Sequence, residues 1–147
     1  MPHAGLMDAD SLGPEAAALL RARLHVRGAW RRLGQGRNAL ALAALYDSLT
    51  SGMDWFLCSP ARRAGASLGG FPLSDDVPTY AALVRAKVLD GSFDFAAFQR
   101  VVYRALDVPP TTAECTEWLL GAEAVLTRLG VLPIDEAILP PEDPGTP

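Results

Sequence analysis

Residues 37–58, RNALALAALYDSLTSGMDWFLC, decide the fold because they carry the clearest amphipathic helix pattern in the chain. At about 100° of rotation per residue, six large apolar side chains fall on one side of this helix. These are Leu42, Leu45, Tyr46, Leu49, Met53 and Phe56. Asp47, Ser51 and Asp54 fall almost opposite them. One helix cannot bury such a stripe alone, so the pattern predicts a bundle of helices.

The composition favours a single helical domain. The chain has 147 residues, of which 50% are hydrophobic and 20% are charged, and this length and apolar content are enough to bury a core. Ala and Leu dominate the aliphatic residues and favour helix over sheet. No segment shows the sustained alternation and β-branched residues typical of strands. We therefore predict an all-α, up-and-down bundle of about five helices in one domain over residues 1–139.

Start and stop signals for helices divide this domain. The predicted helices span about residues 14–34, 37–58, 77–90, 94–107 and 112–129. The Gly34–Gly36 turn is short, which makes the first two helices antiparallel neighbours. Thr111 and Glu114 have the spacing of a capping box at the start of the fifth helix.

Helical spacing also predicts which side chains of the other helices face the core. On the first helix these are Ala16, Leu19, Leu20, Val26, Trp30 and Leu33. On the fourth they are Phe95, Phe98, Val102 and Leu106, and Pro109-Pro110 ends that helix.

Three segments have a non-helical composition. Residues 1–10 are predicted to be a flexible leader, and residues 140–147, which are acidic and rich in proline, a disordered tail. Residues 59–76, SPARRAGASLGGFPLSDD, are predicted to form a long loop after the second helix. Loops of this length in compact domains are usually functional or mobile. A mobile connector and a loop that folds over a groove both fit this composition.

The net charge of −4 is divided unevenly along the chain. Residues 1–73 carry a net charge of +3 and residues 74–147 a net charge of −7. Such a distribution allows copies to associate head to tail or to select partners by charge. It is also consistent with a solvated surface that has no partner.

Five arginines of the first hairpin, here called the arginine strip, form a candidate phosphate-binding site. Arg23, Arg27 and Arg31 share one edge of a helix, and Arg32 and Arg37 lie close by in sequence. Guanidinium groups match phosphate oxygens, so the strip fits a nucleotide or RNA. The alternative is a surface that pairs with the acidic half of the chain or with a second subunit. Net acidity and the absence of an aromatic–basic motif disfavour nucleic acid.

Trp55 suggests that the second helix is contacted on two sides. It lies about 120° from the centre of the apolar stripe, and a large aromatic side chain at that position requires a second covering surface. Another helix of the same chain or a second copy can supply it. With Asp47, Ser51 and Asp54 on the outer side, Trp55 defines the predicted interface of a homodimer.

The residue types that acid–base and metal chemistry require are sparse. The chain has two histidines, His3 and His25, and no Ser or Cys nucleophile has an obvious histidine partner. Cys58 and Cys115 belong to no CxxC pair, and no ExxH pair of the di-iron type occurs. We predict no catalytic residue, no metal site and no cofactor.

The sequence also bears on the location of the protein. No apolar run approaches the roughly 20 residues that span a bilayer, and the N-terminal sequence has neither a basic leader nor an apolar core. The chain has twelve arginines and one lysine, an amino-acid usage that is typical of GC-rich bacterial genomes. We therefore predict a reduced, cytoplasmic bacterial protein with no membrane partner.

Residues 20–57 resemble the opening helical hairpin of HEPN (higher eukaryote and prokaryote nucleotide-binding) domains. The similarity lies in LRARLHVRGAWRRLGQGR followed by NALALAALYDSLTSGMDWFL: a charged helix, a Gly turn and an Ala-rich helix with a central Tyr46. The resemblance implies an all-α bundle, often dimeric and often paired with a nucleotidyltransferase-like protein. The family's ribonuclease motif, an Arg followed by a His, is missing after Arg100, Arg104 and Arg128. Nuclease activity is therefore not implied.

These observations predict a non-enzymatic helical interaction module that forms a homodimer and pairs with a nucleotidyltransferase-like protein. The alternative is a nucleotide- or RNA-binding protein that uses the arginine strip.

Overall fold

The computed structural model describes residues 12–68 and 75–141, which contain six α-helices, a short 3-10 helix and no strand. The helices are α1 (Pro14–Gly34), α2 (Asn38–Leu57), α3 (Pro60–Gly65), α4 (Asp76–Arg85), α5 (Phe95–Arg104) and α6 (Thr112–Leu129), followed by the 3-10 helix Glu136–Ile138. The predicted all-α class is confirmed. The predicted leader, residues 1–10, and residues 142–147 of the predicted tail lie outside the described residues.

The centre of the fold is α2, which packs against all five other helices. Leu42, Leu45, Leu49 and Met53 of its apolar stripe are buried, while Tyr46 and Phe56 are partly buried. The stripe predicted from the sequence therefore faces the core as expected. A helix surrounded by others must pack closely on more than one face. On α2, large apolar side chains form one packed face and small residues form the others.

Small side chains form the contact between α1 and α2, which is the most extensive in the bundle. The buried small residues are Ala17, Ala18, Ala22 and Ala29 on α1, and Ala41, Ala44, Ser48 and Ser51 on α2. The buried Gly52 of α2 instead faces Leu126, Leu129 and Val131. Ser48 Oγ donates a hydrogen bond of 2.6 Å to the carbonyl oxygen of Ala22. A buried hydroxyl group needs a hydrogen-bond partner, and this bond provides one for the Ser48 side chain.

The predicted inner side of α1 is confirmed in part. Leu19 and Leu20 are partly buried. Val26 and Leu33 are buried, but Ala16 and Trp30 are exposed. Trp30 is 37% exposed, and its Nε1 donates to Glu123 of α6 at 3.1 Å. The reason is that alanines, rather than the largest apolar residues, line the close contact with α2.

The predicted loop at residues 59–76 contains a helix. Ser59 Oγ accepts a hydrogen bond of 3.2 Å from the amide of Arg62, and Pro60 occupies the first turn of α3. Ser at the N-cap followed by Pro is a start signal for a helix, so this correction was available in the sequence. Residues 69–74 of the predicted loop lie outside the described residues.

An aromatic cluster joins α4, α5 and α6 to the central helix. Phe93, Phe95 and Phe98 are buried, and Phe98 contacts the Trp118 ring at a centroid distance of 5.2 Å. Asp94 caps α5 by accepting from the amide of Ala97 at 2.9 Å. This cluster fixes the position of the last turn of α5, where the candidate site lies.

Candidate interaction surface

The arginine strip is partly engaged in holding the fold together. Arg23 Nε donates a hydrogen bond of 3.0 Å to the carbonyl oxygen of Val131, which follows α6. Arg27, Arg31 and Arg32 are partly buried, and Arg37 is exposed at the start of α2. The strip is therefore not an open row of five cations, and phosphate binding by it remains a prediction.

Trp55 obtains its second covering surface from its own chain. The guanidinium carbon of Arg62 lies 3.9 Å from the centroid of the Trp55 ring, a cation–π contact. The same guanidinium donates to the carbonyl oxygens of Trp55 and Phe56 and pairs with Glu15 at 2.7 Å. Of the two alternatives that the sequence left open for Trp55, contact within the chain is the one observed here.

The polar side of α2 is less open than predicted. Ser51 is buried, so its predicted place on an outer, interface side is wrong. Helices pack on both sides of α2, and this position lies among the small residues of the helix. Asp47 and Asp54 are exposed. Protein atoms that displace water from around the Asp54 carboxyl group, and then the negative charge of Asp76, raise its pKa, against the opposing effect of Arg21.

A hydrogen-bonded group at Tyr46 links three helices. The Tyr46 hydroxyl donates to Asp76 Oδ2 of α4 at 2.7 Å and accepts from Gln99 Nε2 of α5 at 2.9 Å. Burial first, and then the bond to Asp76, raise the pKa of Tyr46 far above its ordinary value of 10. The phenol therefore stays protonated near neutral pH and acts as a structural donor, which argues against a role as a base.

A second buried tyrosine behaves in the same way. The Tyr80 hydroxyl donates to the carbonyl oxygen of Phe93 at 2.8 Å. Burial is the main cause that raises the pKa of Tyr80 to about 12 from its ordinary value of 10.0. Burial also raises the pKa of the Cys58 and Cys115 thiols, so neither cysteine has the lowered pKa of a reactive nucleophile.

These pKa values predict a loss of stability in alkaline solution. Below pH 10 the folded and unfolded chains both keep their tyrosine protons, so the stabilisation is fully present. As the pH rises towards 12, the unfolded chain loses phenolic protons that the folded chain retains, and the free energy of unfolding falls. The rise in the pKa of Tyr80 from 10.0 to about 12 corresponds to a fall in the free energy of unfolding on the order of 3 kcal/mol.

Urea unfolding at about pH 9 and about pH 12 measures this loss. The Tyr80→Phe variant should lose less stability than the parent between these two values, because it lacks one of the shifted groups. Equal losses for Tyr80→Phe and the parent would contradict the prediction.

The most exposed apolar side chains on the described surface form a ridge where α5 ends. This exposed ridge consists of Tyr103, Leu106 and Val108, which are 69%, 82% and 70% exposed. Ala105 between them is buried, so the backbone packs against the core. The Tyr103 ring lies 6.4 Å from the Tyr46 ring, and Leu106 and Val108 are the two most exposed of the three side chains. Exposed clusters of this kind mark contact sites on proteins.

Beside the exposed ridge lies a hollow of about 240 Å³. It is lined by Val101, Arg104, Val108, Pro109, Pro110 and Glu114. Asn38 of α2 donates to the carbonyl oxygen of Pro110 at 3.0 Å, and Thr111 Oγ1 accepts from the amide of Glu114 at 3.1 Å. These bonds hold the turn between α5 and α6, so the ridge and the hollow are fixed relative to each other.

The sequence prediction assigned Leu106 to the core, and this was wrong. Leu106 keeps helical spacing with Phe95, Phe98 and Val102, but α5 ends at Arg104. The chain then turns, with the amides of Asp107 and Val108 bonded to the carbonyl oxygen of Arg104. The available signal was Pro109-Pro110, because a proline disfavours helix at the residue before it.

No group of three or more His, Cys, Asp or Glu side chains between residues 12–68 and 75–141 is placed to hold a metal ion. Within the same ranges, no helix has the length and apolar content needed to cross a membrane.

Comparisons of this chain with protein-family models, with curated proteins and with solved structures found no match. No family is therefore shown, and the resemblance of residues 20–57 to HEPN domains remains a prediction.

Proposed function

We propose that this protein is a non-enzymatic helical interaction module that forms a homodimer in the bacterial cytoplasm. The observation that supports this best is the exposed ridge, in which Leu106 is 82% exposed between two other large apolar side chains. Apolar surface of this kind gains free energy when a partner removes it from water.

The energetics favour a dimer of moderate affinity. Burying one large apolar side chain contributes about 1.5–3 kcal/mol, and a symmetric dimer buries the ridge of both copies. Association costs an estimated 4–15 kcal/mol in lost freedom of motion and further ordering. Asn38 already holds the turn at Pro110, which keeps the ordering cost low. We therefore expect a dimer that dissociates on dilution.

The HEPN-like hairpin supports a nucleotidyltransferase-like protein as the second partner of the module. In that arrangement the homodimer forms through the exposed ridge and leaves Asp47 and Asp54 on α2 accessible. A gene for such a protein beside the gene for this chain would support this part of the proposal.

The Leu106→Glu substitution tests the homodimer. Multi-angle light scattering over a range of concentrations should give a dimer for the parent and a monomer for Leu106→Glu, because the substitution puts a charge into an apolar contact. High salt should leave the parent dimeric, since salt screens charges and does not weaken apolar burial.

The matched control is Leu120→Glu, which makes the same change at an exposed leucine of α6 outside the lining of the hollow. It should remain dimeric. A parent chain that is monomeric at every concentration, or a Leu106→Glu variant as dimeric as the parent, would overturn the proposal.

A further inference from the structure

We infer that α3 belongs to a strap that opens as a unit while the rest of the bundle stays folded, and that the Arg62 guanidinium is the latch that keeps the strap closed over Trp55. The strap consists of residues 59–68, which run from the N-cap of α3 to Leu68. The inference goes beyond the proposed function and does not depend on a homodimer.

The first argument is the small apolar contact between the strap and the core. None of the six residues of α3 is buried, and Leu68, the last residue of the strap, is only partly buried against the core. A gap of about 510 Å³ is lined by residues 65–68 of the strap and by residues 82 and 85–87 at the end of α4. Segments with few buried apolar contacts open at a low free energy, so the strap is a candidate for local opening.

The second argument is that one side chain makes the polar bonds from the strap to other helices. Arg62 Nε donates to the carbonyl oxygen of Phe56 at 3.1 Å, and Nη2 donates to the carbonyl oxygen of Trp55 and pairs with Glu15 of α1 at 2.7 Å. The two carbonyl groups lie in the last turn of α2, where the helix supplies no amide partners. By contrast, the backbone amides of Arg63, Ala66 and Leu68 bond to carbonyl oxygens within the strap. Release of Arg62 therefore frees the strap without breaking its own helical turn.

The third argument is the position of Trp55. The guanidinium carbon of Arg62 lies 3.9 Å from the centroid of the Trp55 ring. Trp55 and Glu15 also line a groove of about 550 Å³, together with the apolar Leu12, Pro14 and Leu19. Opening of the strap removes the cation from the ring and leaves that aromatic face open beside an apolar groove. The latch therefore controls whether this face of α2 is accessible.

Native-state hydrogen exchange, read residue by residue over a series of low urea concentrations, tests the latch. In the parent, the amides of Arg63, Ala66 and Leu68 should exchange at least about tenfold faster than those in the middle of α2, with one common opening constant and little dependence on urea. Arg62→Gln should speed exchange in the strap at least about tenfold, because it removes hydrogen bonds made by a charged group. Exchange in the middle of α2 should rise by no larger a factor and keep its strong dependence on urea.

Two further variants separate the latch from a general effect of charge. Arg63→Gln is the matched control, because it makes the same change at the next position of α3, where Nε has no hydrogen-bond partner among the described residues. It should leave exchange in the strap within about twofold of the parent. Glu15→Gln removes the ion pair and keeps the other contacts of Arg62, so it should speed exchange only about two- to fivefold.

Trp55→Leu tests whether the strap closes onto the aromatic ring. It removes the cation–π contact and should speed exchange in the strap about two- to tenfold when Arg62 is present. In the Arg62→Gln background it should have no further effect, because the ring then has no cation to hold. Equal effects of Trp55→Leu in the two backgrounds would overturn the closure onto this ring.

The remaining outcomes decide whether the strap opens on its own. Exchange in the strap that is as slow and as dependent on urea as exchange in the middle of α2 overturns the inference, because the strap then opens only when the bundle unfolds. Exchange as fast as in an unstructured peptide overturns it as well, since nothing then holds the strap closed. Equal exchange in Arg62→Gln and Arg63→Gln overturns the role of Arg62. All of these results are obtained whether or not the chain dimerises, so they are distinct from a failure of the proposed function.

Discussion

Replacement of Phe98 by alanine is expected to lower the free energy of unfolding by about 3–5 kcal/mol. Phe98 is fully buried on α5, and its ring centroid lies 5.5 Å from that of Phe93 and 5.2 Å from that of Trp118. The substitution removes the transfer free energy of the ring, the contacts between the aromatic rings and the atoms that fill the space. Rigid aromatic neighbours cannot close the resulting cavity, so we expect little relaxation.

Urea unfolding at a protein concentration at which the chain is monomeric measures this loss. The matched control is Tyr103→Ala, which removes an aromatic ring from the same helix at a position that is 69% exposed. That variant should lose less than about 1 kcal/mol. Similar losses for the two variants would show that the aromatic cluster is not the packed core described here.

Much of the fold could be predicted because its signals are local. The apolar stripe of α2 repeats at helical spacing, and the Gly turn before it bounds α1 to within a residue. The Thr111 side chain accepts from the Glu114 amide, as its capping position predicts. Each of these features depends on residues within a few positions of one another.

Part of the inner side of α1 could not be predicted because it depends on the partner helix. A helical wheel assigns the largest apolar side chains to the core, and so it selects Trp30. The observed contact uses alanines, among them Ala17 and Ala22, which lie against small residues of α2. Whether the large or the small side of a helix is buried depends on how closely its neighbour approaches, and one helix does not contain that information.

The candidate site was missed for a related reason. Leu106 fits the spacing of α5, but α5 ends at Arg104 and the turn that follows, which Asn38 holds at Pro110, leaves Leu106 exposed. That hydrogen bond joins residues separated by 72 positions. Likewise, Trp55 is covered by Arg62 from α3, a helix within a segment predicted to be a loop. Both sites depend on contacts between elements, which periodicity within one element does not report.

Leu49→Ala is expected to lower the free energy of unfolding by about 2–5 kcal/mol. Leu49 is 1% exposed in the middle of α2, the helix that packs against every other helix of the described chain. For that reason we expect a loss in the upper half of this range. A neighbouring helix that moved to fill the cavity would have to give up its contacts elsewhere along α2, so the site cannot collapse at low cost.

Leu40→Ala is the matched control, because it truncates an exposed leucine on the same helix. Alanine has the highest helix propensity, so this substitution does not weaken α2 itself. It should change the free energy of unfolding by less than about 0.5 kcal/mol. In urea unfolding, Leu49→Ala should shift the midpoint and leave the slope unchanged, since the same surface is exposed when the chain unfolds. Equal midpoints for the two variants would mean that α2 is not the central helix. A changed slope would mean that the loss of Leu49 loosens the whole bundle, because every other helix reaches the core through its contact with α2.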